Sequence, residues 1–293
     1  MKFKGIKILN IADMKLHLIN IVNFKSDGGA MFGVIPKALW SRAYPADEMN
    51  LVTLALRSLV VETGKNLILI DTGWGSKQDE KFFRHSYLHG GEGLIEGLFK
   101  HGYRPEDITD VFHTHLHADH CGGTIGRGVE NNSYRPVFPN AVSHVSKVQW
   151  EWAVKNNIRE EDAYPPENIF PMKDAGRLNL IEKEQELFPG FSFRICHGHT
   201  PGLMIPVIRY SEKTIIFAGD LIPTSAHIPL IWNMSYDIES LKTIDEKNAV
   251  LTEALEPDHF LVFQHDAKVE CCNVTLTEKG IRVKDRLPFS SIL

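Results

Sequence analysis

The sequence predicts an α/β sandwich in which short strands alternate with helices along most of the chain. Two segments carry this prediction most clearly, residues 65–71 and 213–220, because each is a short apolar run of buried-strand type that ends in an aspartate with a glycine close by. No repeat, low-complexity tract or linker divides the chain. We therefore expect one domain over residues 1–293, which is enough chain to bury a sizeable core.

The strands are predicted from short stretches rich in β-branched, aliphatic and aromatic residues. In chain order they are residues 51–62, 65–71, 110–114, 141–146, 191–197, 204–210, 213–220 and 259–264. Both aspartate-ended strands place a carboxylate at a strand's carboxyl end, where α/β proteins commonly locate chemistry, although a turn-capping aspartate is an equally good interpretation of either one alone.

The helices are predicted from apolar residues at helical spacing, and they cover residues 93–101, 146–156 and 238–255. Proline-punctuated stretches at 131–140, 163–172 and 222–237 are predicted to be long loops. Loops of that size in a compact domain often belong to a binding site.

Charge and composition exclude several classes of protein. The 32 Lys and Arg residues are outnumbered by 37 Asp and Glu residues, so there is no electrostatic reason to expect a nucleic-acid partner. Charged residues interrupt the apolar amino terminus before a signal peptide or spanning helix could form, which predicts a cytoplasmic protein without a membrane partner. The four cysteines lack any CxxC spacing and are expected to be free thiols.

The strongest chemical signal is the segment 114–123, which places three histidines and an aspartate within six residues. His115 and His117 alternate, so that both point the same way from an extended chain, and Asp119 and His120 follow at the next turn. Neutral imidazole is a common zinc ligand. A cluster this dense in a chain with 14 histidines is difficult to explain as core packing, and it predicts a metal site.

Further donors are expected at other strand ends, because two metals need more than four ligands. His199 stands in a Gly-His-Thr-Pro-Gly segment, Asp220 in a Gly-Asp pair, and His265 follows the last predicted strand. The order HxHxDH, GHTPG, GD and a late strand-end histidine resembles the metallo-β-lactamase superfamily, over a span from about Asp71 to His265.

The resemblance implies a four-layer αβ/βα sandwich with two mixed sheets and two divalent ions at one edge. Zinc is the expected metal, with manganese or iron as alternatives. It also implies a bridging hydroxide that attacks the substrate, with Asp119 as the proton shuttle. The implied ligands are His115, His117 and His199 for the first metal, Asp119, His120 and His265 for the second, and Asp220 between both, with Asp71 orienting the site.

The closest resemblance is to the lactonase and methyl parathion hydrolase-like branch, which predicts cleavage of an ester, lactone or phosphotriester small molecule. Asp220 argues against lactam-hydrolysing zinc enzymes, which lack the bridging aspartate. Homoserine lactonases carry a tyrosine soon after that aspartate, whereas here Leu221, Ile222 and Pro223 follow. The alternatives are a glyoxalase II-like thioesterase and a phosphodiesterase or nuclease. The non-hydrolytic alternative is a di-iron redox protein. Such a protein would usually show a glutamate in place of His117 and a flavin-binding domain, and this sequence has neither.

Residues 1–50 resemble the extension of that branch and are predicted to form a flap, or an arm through which a homodimer assembles. Within it, Phe32 and Trp40 either wall an apolar pocket or pack on the core. His227, in the loop after Asp220, faces the pocket or packs. His113 is expected beside the site or in the core, and the remaining histidines on the surface or in packing.

Overall fold

A computed structural model describes residues 14–130, 133–155 and 157–293. The strands are β1 (Lys15–Asp27), β2 (Leu51–Thr63), β3 (Asn66–Ile70), β4 (Asp110–Phe112), β5 (Ile125–Arg127), β6 (Tyr134–Pro136), β7 (Val142–Ser146), β8 (Leu178–Ile181), β9 (Glu186–Phe188), β10 (Phe191–Cys196), β11 (Leu203–Tyr210), β12 (Lys213–Phe217), β13 (His259–Val262), β14 (Cys271–Thr277) and β15 (Gly280–Leu287). The helices are α1 (Gly28–Phe32), α2 (Lys37–Ala43), α3 (Glu80–Phe83), α4 (Leu94–Lys100), α5 (Ala118–Cys121), α6 (Lys147–Lys155), α7 (Pro166–Asp174) and α8 (Ser240–Glu253).

Two mixed sheets form the centre of the fold. The first has the strand order β1-β2-β3-β4-β7-β8, antiparallel from β1 to β3 and parallel from β3 to β8. The second has the order β15-β14-β13-β12-β11-β10-β9 and is antiparallel except between β12 and β13. The prediction of two mixed sheets is confirmed.

The sheets pack against each other and helices cover their outer faces. Phe112 of the first sheet lies edge-on to Phe191 of the second, with ring centroids 5.1 Å apart, inside one apolar cluster. Leu98 of α4 packs on the outer face of the first sheet, and Leu251 of α8 packs on that of the second. These contacts give the helix-sheet-sheet-helix layering that the sequence predicts.

Most predicted helices and strands are present within a few residues of their expected bounds, but two loop predictions are wrong. The loop predicted at 131–140 contains the short strand β6. Residues 163–172 were expected to form a loop, but most of them lie in α7, which starts at Pro166 and continues through Pro171. Proline lacks a backbone N–H, and in the first turn of a helix that N–H would have no partner within the helix. Pro166 therefore favours a helix that begins at this residue. Residues 131–132 of the predicted loop at 131–140 and residue 156 of the predicted helix at 146–156 lie outside the described residues.

The predicted extension contributes a regular strand to the first sheet. The 13-residue β1 pairs with β2 along nearly its whole length, and α1 and α2 follow it. Residues 1–13 of the extension lie outside the described residues. Among the described helices, none has the length and apolar character needed to cross a membrane.

Candidate metal centre

The predicted donors meet because they follow neighbouring strand ends. His115 and His117 lie in the extended segment after β4, while Asp119 and His120 lie within the short helix α5. The other three follow β10, β12 and β13 of the second sheet, at His199, Asp220 and His265. Residues after the carboxyl ends of strands project over the same edge of a sandwich, so residues far apart in sequence converge there.

The structure sorts the seven predicted donors into two clusters, within each of which the candidate ligand atoms lie within 4.8 Å of one another. The first cluster contains His115, His117, His199 and Asp220, and the second contains Asp119, His120 and His265. Asp119 is the most open of these side chains at 23% exposure, whereas those of His115 and His120 are fully buried. The site is therefore a buried donor set that opens towards solvent at Asp119.

Asp220 lies between the clusters and directs one carboxylate oxygen to each. Its Oδ2 is 3.3 Å from His199 Nε2 in the first cluster, and its Oδ1 is 2.9 Å from His265 Nε2 in the second. His120 Nε2 lies 3.4 Å from the same Oδ1. This is the geometry of a carboxylate that can serve two cations at once.

Each imidazole has an acceptor on its outer nitrogen. His199 Nδ1 donates to Asp237 Oδ1 at 3.0 Å, and His117 Nε2 donates to Glu160 Oε1 at 3.1 Å. His115 Nδ1 lies 3.0 Å from the hydroxyl oxygen of Thr114. In the second cluster the outer nitrogens face Asp71 Oδ2 at 2.9 Å from His120 and the carbonyl oxygen of Ala55 at 2.9 Å from His265.

These outer bonds determine where the lone pairs point. A neutral imidazole that donates through one nitrogen has only a lone pair on the other. The inner nitrogens of two neutral rings in the first cluster nevertheless face each other closely, with 2.9 Å between His115 Nε2 and His117 Nδ1. Lone pairs at this distance repel, and the buried Asp220 Oδ1 has no hydrogen-bond partner among the residues that the structure describes. A divalent cation between the donors relieves both problems, so the residues fit metal ions that prefer imidazole and carboxylate.

The electrostatics of the site agree with this fit. Burial lowers the pKa of His115 well below its usual value, which keeps that ring neutral. Burial also opposes the charged form of His120, but attraction from Asp119 and Asp220 outweighs it and raises the pKa of His120 well above its usual value. The carboxylates thus attract positive charge to the centre, whether it comes as a proton or as a metal ion.

Asp71 joins the two sheets beneath the second cluster. Its Oδ1 accepts from the Thr114 backbone N–H at 2.8 Å, and its Oδ2 accepts from Gln264 Nε2 at 2.9 Å as well as from His120. Its φ of 55° lies in the left-handed region that non-glycine residues seldom adopt, a strain typical of functional positions. Asp71 therefore orients a histidine, as the resemblance implies.

Sequence reasoning missed Glu160 and Asp237. Glu160 stands in a run of charged residues that looks solvent-exposed, yet it is only 6% exposed. Burial raises the pKa of Glu160, but hydrogen bonds from His117 and Asn157 outweigh burial and lower it to about 2. Asp237 lies in the predicted loop 222–237, where no spacing or neighbouring motif distinguishes it from a solvent-exposed aspartate.

The structure decides the residues for which the sequence left alternatives. Phe32 and Trp40 are buried and stack with ring centroids 5.0 Å apart, so they pack in the core. The His227 ring also stacks on Phe32, with ring centroids 4.6 Å apart, and donates through Nε2 to the Met31 carbonyl oxygen at 2.8 Å. His113 is completely buried, and within the described part of the chain its ring nitrogens have no hydrogen-bond partner.

Comparison with known proteins agrees with the fold. The family model of the metallo-beta-lactamase superfamily matches residues 57–265, which is more than half of the chain. The chain therefore belongs to the metallo-beta-lactamase superfamily. The matched range includes all seven donors.

Individual relatives are similar at lower identity. An N-acyl homoserine lactonase from Bacillus cereus is 28% identical over 177 residues, a match that covers 57% of this chain and 63% of that protein. A probable metallo-hydrolase from Mycobacterium tuberculosis is 24% identical over 280 residues, covering 81% and 84%. The match thus spans less than two thirds of the lactonase.

Solved structures resemble nearly the whole chain. A probable metal-dependent hydrolase from Staphylococcus aureus superposes with a TM-score of 0.83 at 29% identity, covering 96% of this chain and all of that one. A dizinc quorum-quenching lactonase superposes with a TM-score of 0.77 at 20% identity, covering 96% and 97%. The likeness to the lactonase shows that the two chains share a fold.

Proposed function

We propose that this protein is a hydrolase that holds two divalent cations, zinc by preference, and cleaves an uncharged ester, lactone or phosphotriester. The observation that carries the proposal is Asp220, whose two oxygens face separate histidine clusters 2.9 Å and 3.3 Å away. Such cations, when bound, supply Lewis acidity and lower the pKa of coordinated water to about 7. The superfamily membership and the lactonase-named relatives support the same reaction type.

The residues of the chain have separate tasks in this reaction. The buried histidines hold the centre and exclude bulk water, and Asp220 sets the distance between its two halves. Asp119 is the carboxylate nearest solvent, with Oδ2 3.5 Å from His120 Nε2. We assign it to accept the proton of the attacking water and deliver it to the leaving alkoxide. The water oxygen then forms the new bond to the acyl carbon or phosphorus while the bond to the alkoxide breaks.

Charge supports a neutral small molecule as the substrate. The chain has a net charge of −5, which disfavours a polyanion approaching the site. A polynucleotide would need many Lys and Arg contacts, and its binding would weaken steeply with salt. An uncharged ester needs only polarisation of its reacting oxygen and burial of its apolar part, worth about 25 cal/mol per Å².

Metal content tests the first half of the proposal. Purified protein measured by metal emission spectroscopy should hold close to two ions per chain. Fewer than one ion, with no gain after addition of zinc or manganese, would contradict the two-cation centre.

A substrate panel tests the second half. Turnover should be compared for an aryl ester, a medium-chain lactone, an aryl phosphotriester and bis(p-nitrophenyl) phosphate. We expect one of the first three to be preferred, with a rate that changes little at raised ionic strength. Clear preference for the phosphodiester, with a rate that collapses in salt, would favour the nuclease alternative.

A further inference from the structure

Two buried carboxylates outside the clusters each hold a histidine of the first cluster, which consists of His115, His117, His199 and Asp220. We infer that Glu160 and Asp237 are positioning residues that set the cation affinity of this cluster. The inference rests on the proposed two-cation function. It assigns to these residues a task that their places in loops do not suggest.

Glu160 is immobilised by donors on both of its oxygens. Its Oε1 accepts from His117 Nε2 at 3.1 Å and from the Tyr164 hydroxyl at 3.2 Å. Its Oε2 accepts from Trp152 Nε1 at 2.7 Å and from Asn157 Nδ2 at 2.9 Å. A carboxylate held by four donors has no freedom to turn away, so His117 keeps its proton on Nε2.

The position of the ring proton matters most for His117. Its inner atom is Nδ1, which lies 2.9 Å from His115 Nε2 and 3.3 Å from His199 Nε2. The ring must therefore carry its proton on Nε2, opposite to the tautomer of the other two rings in the cluster. An ionised carboxylate only accepts hydrogen bonds, so Glu160 selects this tautomer and makes Nδ1 a stronger donor to a cation.

Asp237 performs the equivalent task for His199. Its side chain is only 2% exposed, and its Oδ1 lies 3.0 Å from His199 Nδ1. Its Oδ2 accepts from the Met234 backbone N–H at 3.2 Å. The next residue, Ile238, donates its backbone N–H to the His199 carbonyl oxygen at 3.1 Å. The loop therefore holds both the ring and the backbone of His199.

A hydrogen bond joins the two loops to each other. Arg159, next to Glu160, donates from its guanidinium to the backbone carbonyl of Ser235, two residues before Asp237. The second cluster is instead supported by Asp71 after β3 and by the Ala55 carbonyl within β2. Loss of either loop carboxylate should therefore weaken the first cation and leave the second in place.

The test is a cation titration of four proteins: wild type, Glu160→Gln, Asp237→Asn and the control Glu161→Gln. Glu161 is the exposed neighbour of Glu160, so its substitution makes the same chemical change one residue away. Metal-free protein would be titrated with Zn²⁺ against a chromophoric chelator and separately with Co²⁺, whose visible absorption reports the ligand geometry. The melting temperature of each metal-free protein checks its folding.

We expect Glu161→Gln to bind two ions, each with the affinity that wild type has for it. Glu160→Gln and Asp237→Asn should each bind one ion as wild type does and the other about 10–100-fold more weakly, the usual effect of losing the outer partner of a ligating histidine. Their Co²⁺ spectra should change in the contribution of that one ion. Asp237→Asn lies in a different loop and carries the test if Glu160→Gln does not fold.

Three outcomes are distinguishable from the expected one. If wild type binds fewer than two ions, the two-cation proposal fails. If wild type binds two and both folded variants keep both affinities and the wild-type Co²⁺ spectrum, the inference about Glu160 and Asp237 is overturned. An equal weakening of both ions would also overturn it, because it would show a general loosening of the site.

Discussion

His227 should make the protein sensitive to acid, and substitution by glutamine should remove that sensitivity. The ring is buried between the Phe32 face and the loop, where Nε2 donates to the Met31 carbonyl oxygen at 2.8 Å and Nδ1 lies 2.7 Å from the Thr224 hydroxyl oxygen. This environment suits only the neutral ring. Burial lowers the pKa of His227 from 6.5 to about 3, although the bond to Met31 opposes the shift.

The size of the effect follows from the two pKa values. The unfolded chain takes up a proton on this ring below pH 6.5, whereas the folded protein does so only near pH 3. The unfolded state binds more protons within that window, so stability is complete above it and is lost as the pH falls. At about pH 4.5 the loss is about 3 kcal/mol, since each pKa unit corresponds to about 1.36 kcal/mol.

The measurement is urea unfolding of wild type and His227→Gln at pH 7 and at about pH 4.5. Glutamine does not titrate, and every other acid-sensitive group is common to both proteins. Subtracting the two pH dependences therefore isolates His227, and wild type should lose about 3 kcal/mol more than the variant. Equal losses in both proteins would show that His227 accepts a proton in the folded state as readily as in the unfolded one.

Three further predictions concern the site and its supports. Asp220→Ala should lower turnover by more than the 10–100-fold typical of losing an outer partner, whereas His113→Leu should lower it far less; equal losses in steady-state assays of two folded variants would refute the bridging assignment. Lys247→Met removes three ammonium bonds to loop carbonyls, at 2.9–3.2 Å, and should cost about 3 kcal/mol, or roughly 6 °C in a calorimetric melting temperature. Trp40→Ala should destabilise the protein to urea by about 3–5 kcal/mol, because Trp40 is buried against Phe32; an unchanged unfolding midpoint with a raised KM would instead place it in the substrate pocket.

The regular elements could be predicted because their signals are local. The apolar run before Asp220 is long enough to specify β12, and the helical spacing of apolar residues specifies α8. The prolines of residues 163–172 predict a loop where the structure has α7, because proline inside a helix usually ends or kinks it. Pro166 occupies the first turn, where proline is favourable. Whether a proline predicts the start or the end of a helix therefore depends on where the helix begins.

The sequence by itself predicted the superfamily, which the family match confirms, and it singled out seven candidate donors that the structure brings together. Dense spacing and strand-end positions are visible without coordinates. Only the tertiary structure decided what supports the donors. Glu160 and Asp237 are 77 residues apart in the numbering of the chain and belong to segments that look solvent-exposed, yet each reaches a histidine of the same cluster. Likewise, the aromatic character of Phe32 and Trp40 is equally compatible with a pocket wall and a core. Burial and hydrogen-bond partners depend on which loops meet in space, and no local pattern encodes that meeting.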